Sequence, residues 1–151
     1  MSSDISHFMY LALDEAQKAF DLDEVPVGAI IVKNNTVVSA SFNQVISQNS
    51  VASHAEMNAI LLASQRLDNY RLIDCDIYVT LEPCHMCAKA IADARLKNLF
   101  FGANEPKTGA IVSVDHFLDA SHLNHKVNYS SGHLASDSVN LLKSFFRSKR
   151  V

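Results

Sequence analysis

Apolar residues recur at helical spacing from Ile5 to Phe20, through Phe8, Met9, Ala12, Leu13, Ala16 and Ala19, and Asp4 stands where a carboxylate favours a helix N-terminus. This pattern predicts a packing helix. Val25 to Val32 is a near-continuous apolar run, Asn34-Asn35 tolerate positive φ, and Thr36 to Phe42 follow. The segment predicts a hairpin whose first strand is buried on both faces. Residues 43–53 read as a polar loop and residues 55–66 as a second helix. Asp76 to Thr80 predicts a strand, His85 to Ala94 a third helix, and Leu96 to Phe101 a further strand. Beyond Gly102 the pattern thins. Asn104 to Gly109 reads as a loop, Val114 to Leu118 as a helical turn and Val127 to Tyr129 as a short strand. Ser136-Asp137 stand where they would cap a last helix running through Val139, Leu141, Leu142, Phe145 and Phe146.

A helix, a hairpin, then strands and helices in alternation argue for an α/β sandwich with helices covering a mixed sheet. The second and third helices then begin beyond loop or strand ends at one sheet edge, where open sheets place ligands. A length of 151 residues with 48% hydrophobic content suits one domain, residues 1–151, with a substantial core. The start, Met1-Ser2-Ser3-Asp4, is polar and acidic, unlike a signal peptide, and no apolar run approaches the ~18 residues of a membrane span. A cytoplasmic protein with no membrane partner is expected. Three cysteines fit that compartment, and Cys75 reads as an ordinary small buried residue. A net charge of -3 does not announce a nucleic-acid binder, so any RNA contact must come from a local basic patch.

The candidate chemistry lies in His54-Ala55-Glu56 and, about thirty residues on, Glu82-Pro83-Cys84-His85-Met86-Cys87. One imidazole and two thiolates are ligands that zinc prefers, and a catalytic zinc keeps three protein ligands with the fourth position open. His54, Cys84 and Cys87 supply that set. Residues two apart on a regular helix point to opposite sides. His54 and Glu56 can therefore share a site only where His54 lies just outside a helix start. Glu56 would then move protons beside an activated water. A lone CxxC would equally suit a redox pair or half of a structural zinc knuckle. In this order, with Pro83 directly before the first cysteine, the residues match the H-x-E…P-C-x-x-C signature of zinc nucleobase deaminases.

Beyond that signature, Glu24-Val25-Pro26-Val27-Gly28-Ala29, Asn69-Tyr70-Arg71-Leu72-Ile73-Asp74, Tyr78 to Cys84, and Phe101-Gly102-Ala103 with Lys107-Thr108-Gly109-Ala110 look like blocks of one family. The chain resembles the bacterial tRNA-specific adenosine deaminases over most of its length. The resemblance implies a three-layer α/β/α cytidine deaminase-like sandwich around a mixed five-stranded sheet, one Zn2+ per subunit, and a homodimer. It implies hydrolytic deamination of the wobble adenosine in a tRNA anticodon stem-loop to inosine, with Glu56 as proton shuttle. Asn43 matches the family's asparagine that hydrogen-bonds the flipped nucleotide, a role that its paired donor and acceptor favour over a loop cap. Val27 would line the base pocket or simply fill the core, and the backbone amides of Ala55 and Cys84 would polarise the reacting group.

Several positions depart from the family. Glu105, a substrate-binding candidate, stands where the family usually has an Asp near the bound nucleotides, Val51-Ala52-Ser53 replace Pro-Thr-Ala, and His85 sits inside the CxxC. A surface or supporting role suits His85, and a surface or satisfied-core role suits His116, His122, His125 and His133. Lys143, Arg147, Lys149 and Arg150 surround Phe145 and Phe146, which reads either as a capped amphipathic helix or as an RNA handle. The resemblance favours Phe145 and Arg147 as anticodon contacts, and Tyr70-Arg71-Leu72 as part of a dimer interface. Two rivals compete: a deaminase of a free base or nucleoside such as cytosine or guanine, and an inactive zinc-stabilised RNA-binding subunit. A structural zinc would have no use for Glu56 and would take a fourth protein ligand.

Overall fold

A computed structural model describes residues 2–149. Helix α1 spans Ser2–Asp21, and a hairpin follows, formed by β1 (Gly28–Lys33) and β2 (Thr36–Phe42). Asn34 and Asn35 take φ values of 51° and 60°, the mirror-image turn that matches strand twist and suits asparagine. Next come α2 (Ala55–Arg66), β3 (Cys75–Leu81), α3 (His85–Asp93) and β4 (Asn98–Ala103). A short 3-10 turn at Phe117–Asp119, β5 (Asn128–Ser130) and α4 (Ala135–Ser148) complete the chain. The five strands lie in the order β2-β1-β3-β4-β5. The β2-β1 and β1-β3 pairs are antiparallel, while β3-β4 and β4-β5 are parallel, so the sheet is mixed as expected.

Alternation along the strands sorts the core into two layers. Ala29, Ile31, Ile77, Val79, Leu99 and Phe101 pack with Ala55, Ala59, Ala63, Ala88 and Ile91 of α2 and α3. Ile30, Val32, Tyr78 and Phe100 point the other way, against Phe8, Met9 and Ala12 of α1 and Leu134 beside α4. The result is the expected three-layer α/β/α sandwich. At Gly28, a Cβ would collide with the Ala12 carbonyl, so the missing side chain lets α1 cross the sheet closely.

The differences from the expected elements have local causes. The first strand begins at Gly28 rather than Val25 because Pro26 has no N–H and the Val27 amide donates to the Val25 carbonyl at 2.9 Å, which turns the chain. β4 starts two residues late because Arg95 takes φ 65°, and the Lys97 amide is the first to reach β3, at Cys75. The helical turn falls at Phe117–Asp119 instead of Val114 to Leu118. Ser136 and Asp137 do not cap α4. Leu134 holds that position in a left-handed conformation, which places both polar residues inside the first turn. Arg150 lies outside the described residues, as do Met1 and Val151.

Candidate active site

His54 and Cys84 each occupy the residue before a helix, with extended backbone at φ -73°, ψ 154° and φ -78°, ψ 178°. Neither side chain caps its helix, which leaves the imidazole and the thiol uncommitted to helix amides. Cys87 follows in the first turn of α3 and Glu56 in the first turn of α2. This is the geometry that lets His54 and Glu56 face one site despite a spacing of two.

The Nδ1 of His54 lies 3.6 Å from the Cys84 Sγ and 3.5 Å from the Cys87 Sγ. All three donor atoms fall within 4.8 Å of one another. A tetrahedral ion with Zn–S near 2.3 Å and Zn–N near 2.0–2.1 Å has an N···S edge of about 3.6 Å, so the donors already stand at the spacing such an ion requires. Among the side chains alone, hydrogen bonding from Cys87 and His54 outweighs burial and holds the Cys84 thiol down to about 3. The same contact with Cys84 drives Cys87 upward and raises His54. Cys84 is thus the readier of the two thiols to give up its proton to a cation. Glu56, 4% exposed, is raised chiefly by burial.

His54, Cys84 and Glu56 border one cavity of about 300 Å³. Its wall includes Val27, Asn43, His54, Ala55, Glu56, Cys84 and Glu105 from the expected set. Asn43 Nδ2 donates to the Val25 carbonyl at 3.3 Å, which fixes the amide while its oxygen stays available. Val27 serves both the core and the wall, at 9% exposure.

Two further wall residues, Glu24 and Glu82, have no role in the sequence reading. Glu82 follows the buried strand β3 and is 3% exposed. Its carboxylate accepts amides from Glu105 (2.9 Å), Ile111 (3.0 Å), Val112 (2.8 Å) and Ser113 (3.0 Å), and the Ser113 hydroxyl. Burial would raise its pKa, but these donors outweigh it and hold the carboxyl below its ordinary range. Gly109 passes so close that a Cβ would strike the Glu82 carboxylate. Glu24, 1% exposed, does the same for the opposite rim, accepting the Ile46 and Ser47 amides at 3.0 and 2.7 Å. A charged residue at the end of an apolar strand is the signal that marks Glu82; its partners, 23 to 31 residues away, are not visible in the sequence.

The C-terminal helix corrects one expectation. Phe145 is 5% exposed and packs edge-on against Phe20 of α1, so its ring is core and is not offered to a base. Phe146, 46% exposed, lies with Lys143 and Arg147 along a groove of about 350 Å³ that shares Leu81 and Glu105 with the cavity. Lys149 pairs with Asp23 and covers the Phe145 ring. Leu72 is fully buried, which removes it from any interface, whereas Tyr70 is 71% exposed. His85 turns outward to Asp115 Oδ2 at 2.7 Å, and His125 donates to the Leu96 carbonyl at 2.7 Å. Cys75 is buried. Among the described residues, no helix is long and apolar enough to cross a membrane.

The family model described as MafB19-like deaminase matches residues 3–150. A tRNA-specific adenosine deaminase of Agrobacterium fabrum is 44% identical over 146 residues, covering 97% of this chain and 96% of that protein. One of Rickettsia bellii is 45% identical over 141 residues, covering 92% and 97%. A structure from studies of A-to-I editing by tRNA:A34 deaminases at the wobble position superposes with a TM-score of 0.87 at 43% identity, covering 89% of this chain and 98% of that one. A guanine deaminase from Nitrosomonas europaea superposes with a TM-score of 0.76 at 21% identity, covering 93% and 83%, which is a likeness of fold alone.

Proposed function

The chain belongs to the tRNA-specific adenosine deaminase family, within the MafB19-like deaminases, and from that premise we propose that its cavity converts the wobble adenosine of a tRNA anticodon to inosine. The observation that carries this reading is the meeting of a buried carboxylate, Glu56, with His54 and Cys84 on the wall of one nucleotide-sized cavity, Cys87 completing their donor set.

His54, Cys84 and Cys87 would hold one zinc ion per chain, and such an ion would supply an acidified water, its pKa lowered toward ~7, as the nucleophile at neutral pH. Two thiolates and a neutral imidazole balance the ion's charge. Glu56 takes a proton from the attacking water as oxygen bonds to carbon 6 of adenine, and delivers it to N1 of the ring. The carbon-nitrogen bond then breaks, the remaining proton passes through Glu56 to the departing amine, and ammonia leaves. Asn43 offers its side-chain oxygen to the flipped nucleotide. Val27 and Ala55 form apolar walls against the base, and the amides of Ala55 and Cys84 point from helix starts toward the reacting group.

The groove that continues from the cavity past Glu105 gives the RNA its path. Arg147 and Lys143 meet phosphates there, and Phe146 takes the stacking role expected of Phe145. The enzyme acts as one catalytic domain spanning the chain, in the cytoplasm, as a homodimer; the resemblance supports the dimer, and a monomeric mass in solution would contradict it.

The test is product analysis with zinc-loaded protein on anticodon stem-loop RNA bearing a wobble adenosine, beside free adenosine, cytosine and guanine. Inosine confined to the wobble position is expected. Turnover of a free base alone would overturn the substrate, and zinc binding without any turnover would leave an inactive RNA-binding subunit.

A further inference from the structure

Ile46 projects from the loop between β2 and α2 and is 68% exposed on the rim of the cavity. A single apolar side chain in water is ordinary. Its support is not. The carboxylate of Glu24, itself 1% exposed, accepts the amides of Ile46 at 3.0 Å and Ser47 at 2.7 Å. The Gln48 amide donates to the Gln44 carbonyl at 2.9 Å, and the Ser50 amide to the Val45 carbonyl at 3.1 Å. The loop base is closed by the Gln44 amide on the Ser53 carbonyl at 2.9 Å. The loop is therefore fixed from below and within itself, and what it fixes is an isoleucine at the cavity mouth. Glu24 has no part in the hydrolysis. Holding a buried carboxylate against loop amides has a desolvation cost that its hydrogen bonds must offset, so this is a specific support and not a chance contact. Val51, in the same loop, is 85% exposed but does not line the cavity.

We propose that Ile46 binds the nucleotide next to the reacting adenosine, and that Glu24 is the positioning residue that presents it. The inference rests on the tRNA deaminase reading above. The cavity admits one splayed nucleotide, so the neighbour on the same strand lies at its rim. Unstacking an anticodon loop exposes apolar base and ribose faces, and side chains at the mouth recover part of that surface. A residue already locked in place does so with little ordering penalty. An aliphatic side chain against a base or ribose face carries no hydrogen-bond readout, so Ile46 contributes affinity for a strand without selecting the base beside the target.

Steady-state inosine formation on the wobble-adenosine stem-loop tests this in the zinc-loaded protein. Ile46→Ala is expected to raise KM about five- to tenfold, as loss of much of a buried aliphatic contact should, with kcat kept within about twofold. Its melting temperature should not change, because the side chain is exposed. Ile46→Val should behave nearly as wild type, and Val51→Ala should leave both constants unchanged. Glu24→Gln should raise KM in the same direction and speed amide exchange at Ile46 and Ser47. An unchanged KM for Ile46→Ala overturns the proposal, as does an equal rise for Val51→Ala or a fall in kcat alone. Failure of the underlying reading looks different: wild-type protein would leave the RNA untouched while turning over a free base, and the proposal would fall with it.

Discussion

Glu56 and Glu82 share the wall of one cavity and are almost equally inaccessible, at 4% and 3%, yet their surroundings push them in opposite directions. Glu82 sits among four amides and a hydroxyl, which overcome its burial and keep it ionised. For Glu56, burial outweighs its own amide, the charge of His54 and the Cys87 thiol, and it is raised. A carboxylate whose lone pairs are filled by fixed donors is a structural anion; one left with few donors retains capacity to take and release a proton. The difference separates scaffold from chemistry between two residues of the same type. Glu82 binds the segment 105–113 to the end of β3, and Glu24 binds the loop ahead of α2, so the cavity's rims are set before substrate arrives.

The comparison breaks most sharply at Glu56. Glu56→Gln is expected to lower single-turnover inosine formation by about 10² to 10⁴, with the melting temperature held or slightly raised, since a buried acid is removed. In the core of the C-terminal helix, Phe145→Ala should cost about 3–5 kcal/mol of stability in urea unfolding, with RNA affinity per folded molecule unchanged. Glu82→Gln should cost about 2–3 kcal/mol, because charged acceptors are withdrawn from buried amides, while kcat falls far less than in Glu56→Gln. The pH dependence follows from the sign of the shift. Folding lowers the Glu82 carboxyl from its ordinary 4.5, so its stabilisation is complete above that pH and is lost as the pH falls through the lower folded value. Acid unfolding of Glu82→Gln should accordingly be shallower below pH 4.5 than that of wild type. The smallest effect is at Phe146. Phe146→Ala should weaken stem-loop binding by about 1 kcal/mol, measured by fluorescence anisotropy, and leave the melting temperature unchanged.

Much of the frame is readable from period and punctuation. The hairpin at Asn34-Asn35, the helices that begin after His54 and Cys84, and the grouping of His54, Cys84, Cys87 and Glu56 all depend on local spacing. What escaped depends on partners distant in the chain. Helical spacing alone cannot say which of two adjacent phenylalanines is core; that was settled by Phe20, 125 residues before Phe145. Leu134 starts α4 in a left-handed conformation that no cap residue advertises, and the polar pair two residues on reads as a better cap than it is. The partners of Glu24 and Glu82 are not legible in the sequence because they are chiefly backbone amides, which nearly every residue carries, and only folding decides which amides arrive.

The most direct test of the central claim is a titration of zinc into metal-stripped protein, with wobble inosine formation on stem-loop RNA measured under single turnover at each bound-zinc level. The account predicts a rate that rises in proportion to zinc and levels at one ion per chain, with no such rise in Glu56→Gln carrying the same zinc. A full rate without zinc, or no inosine at one ion per chain, would contradict it.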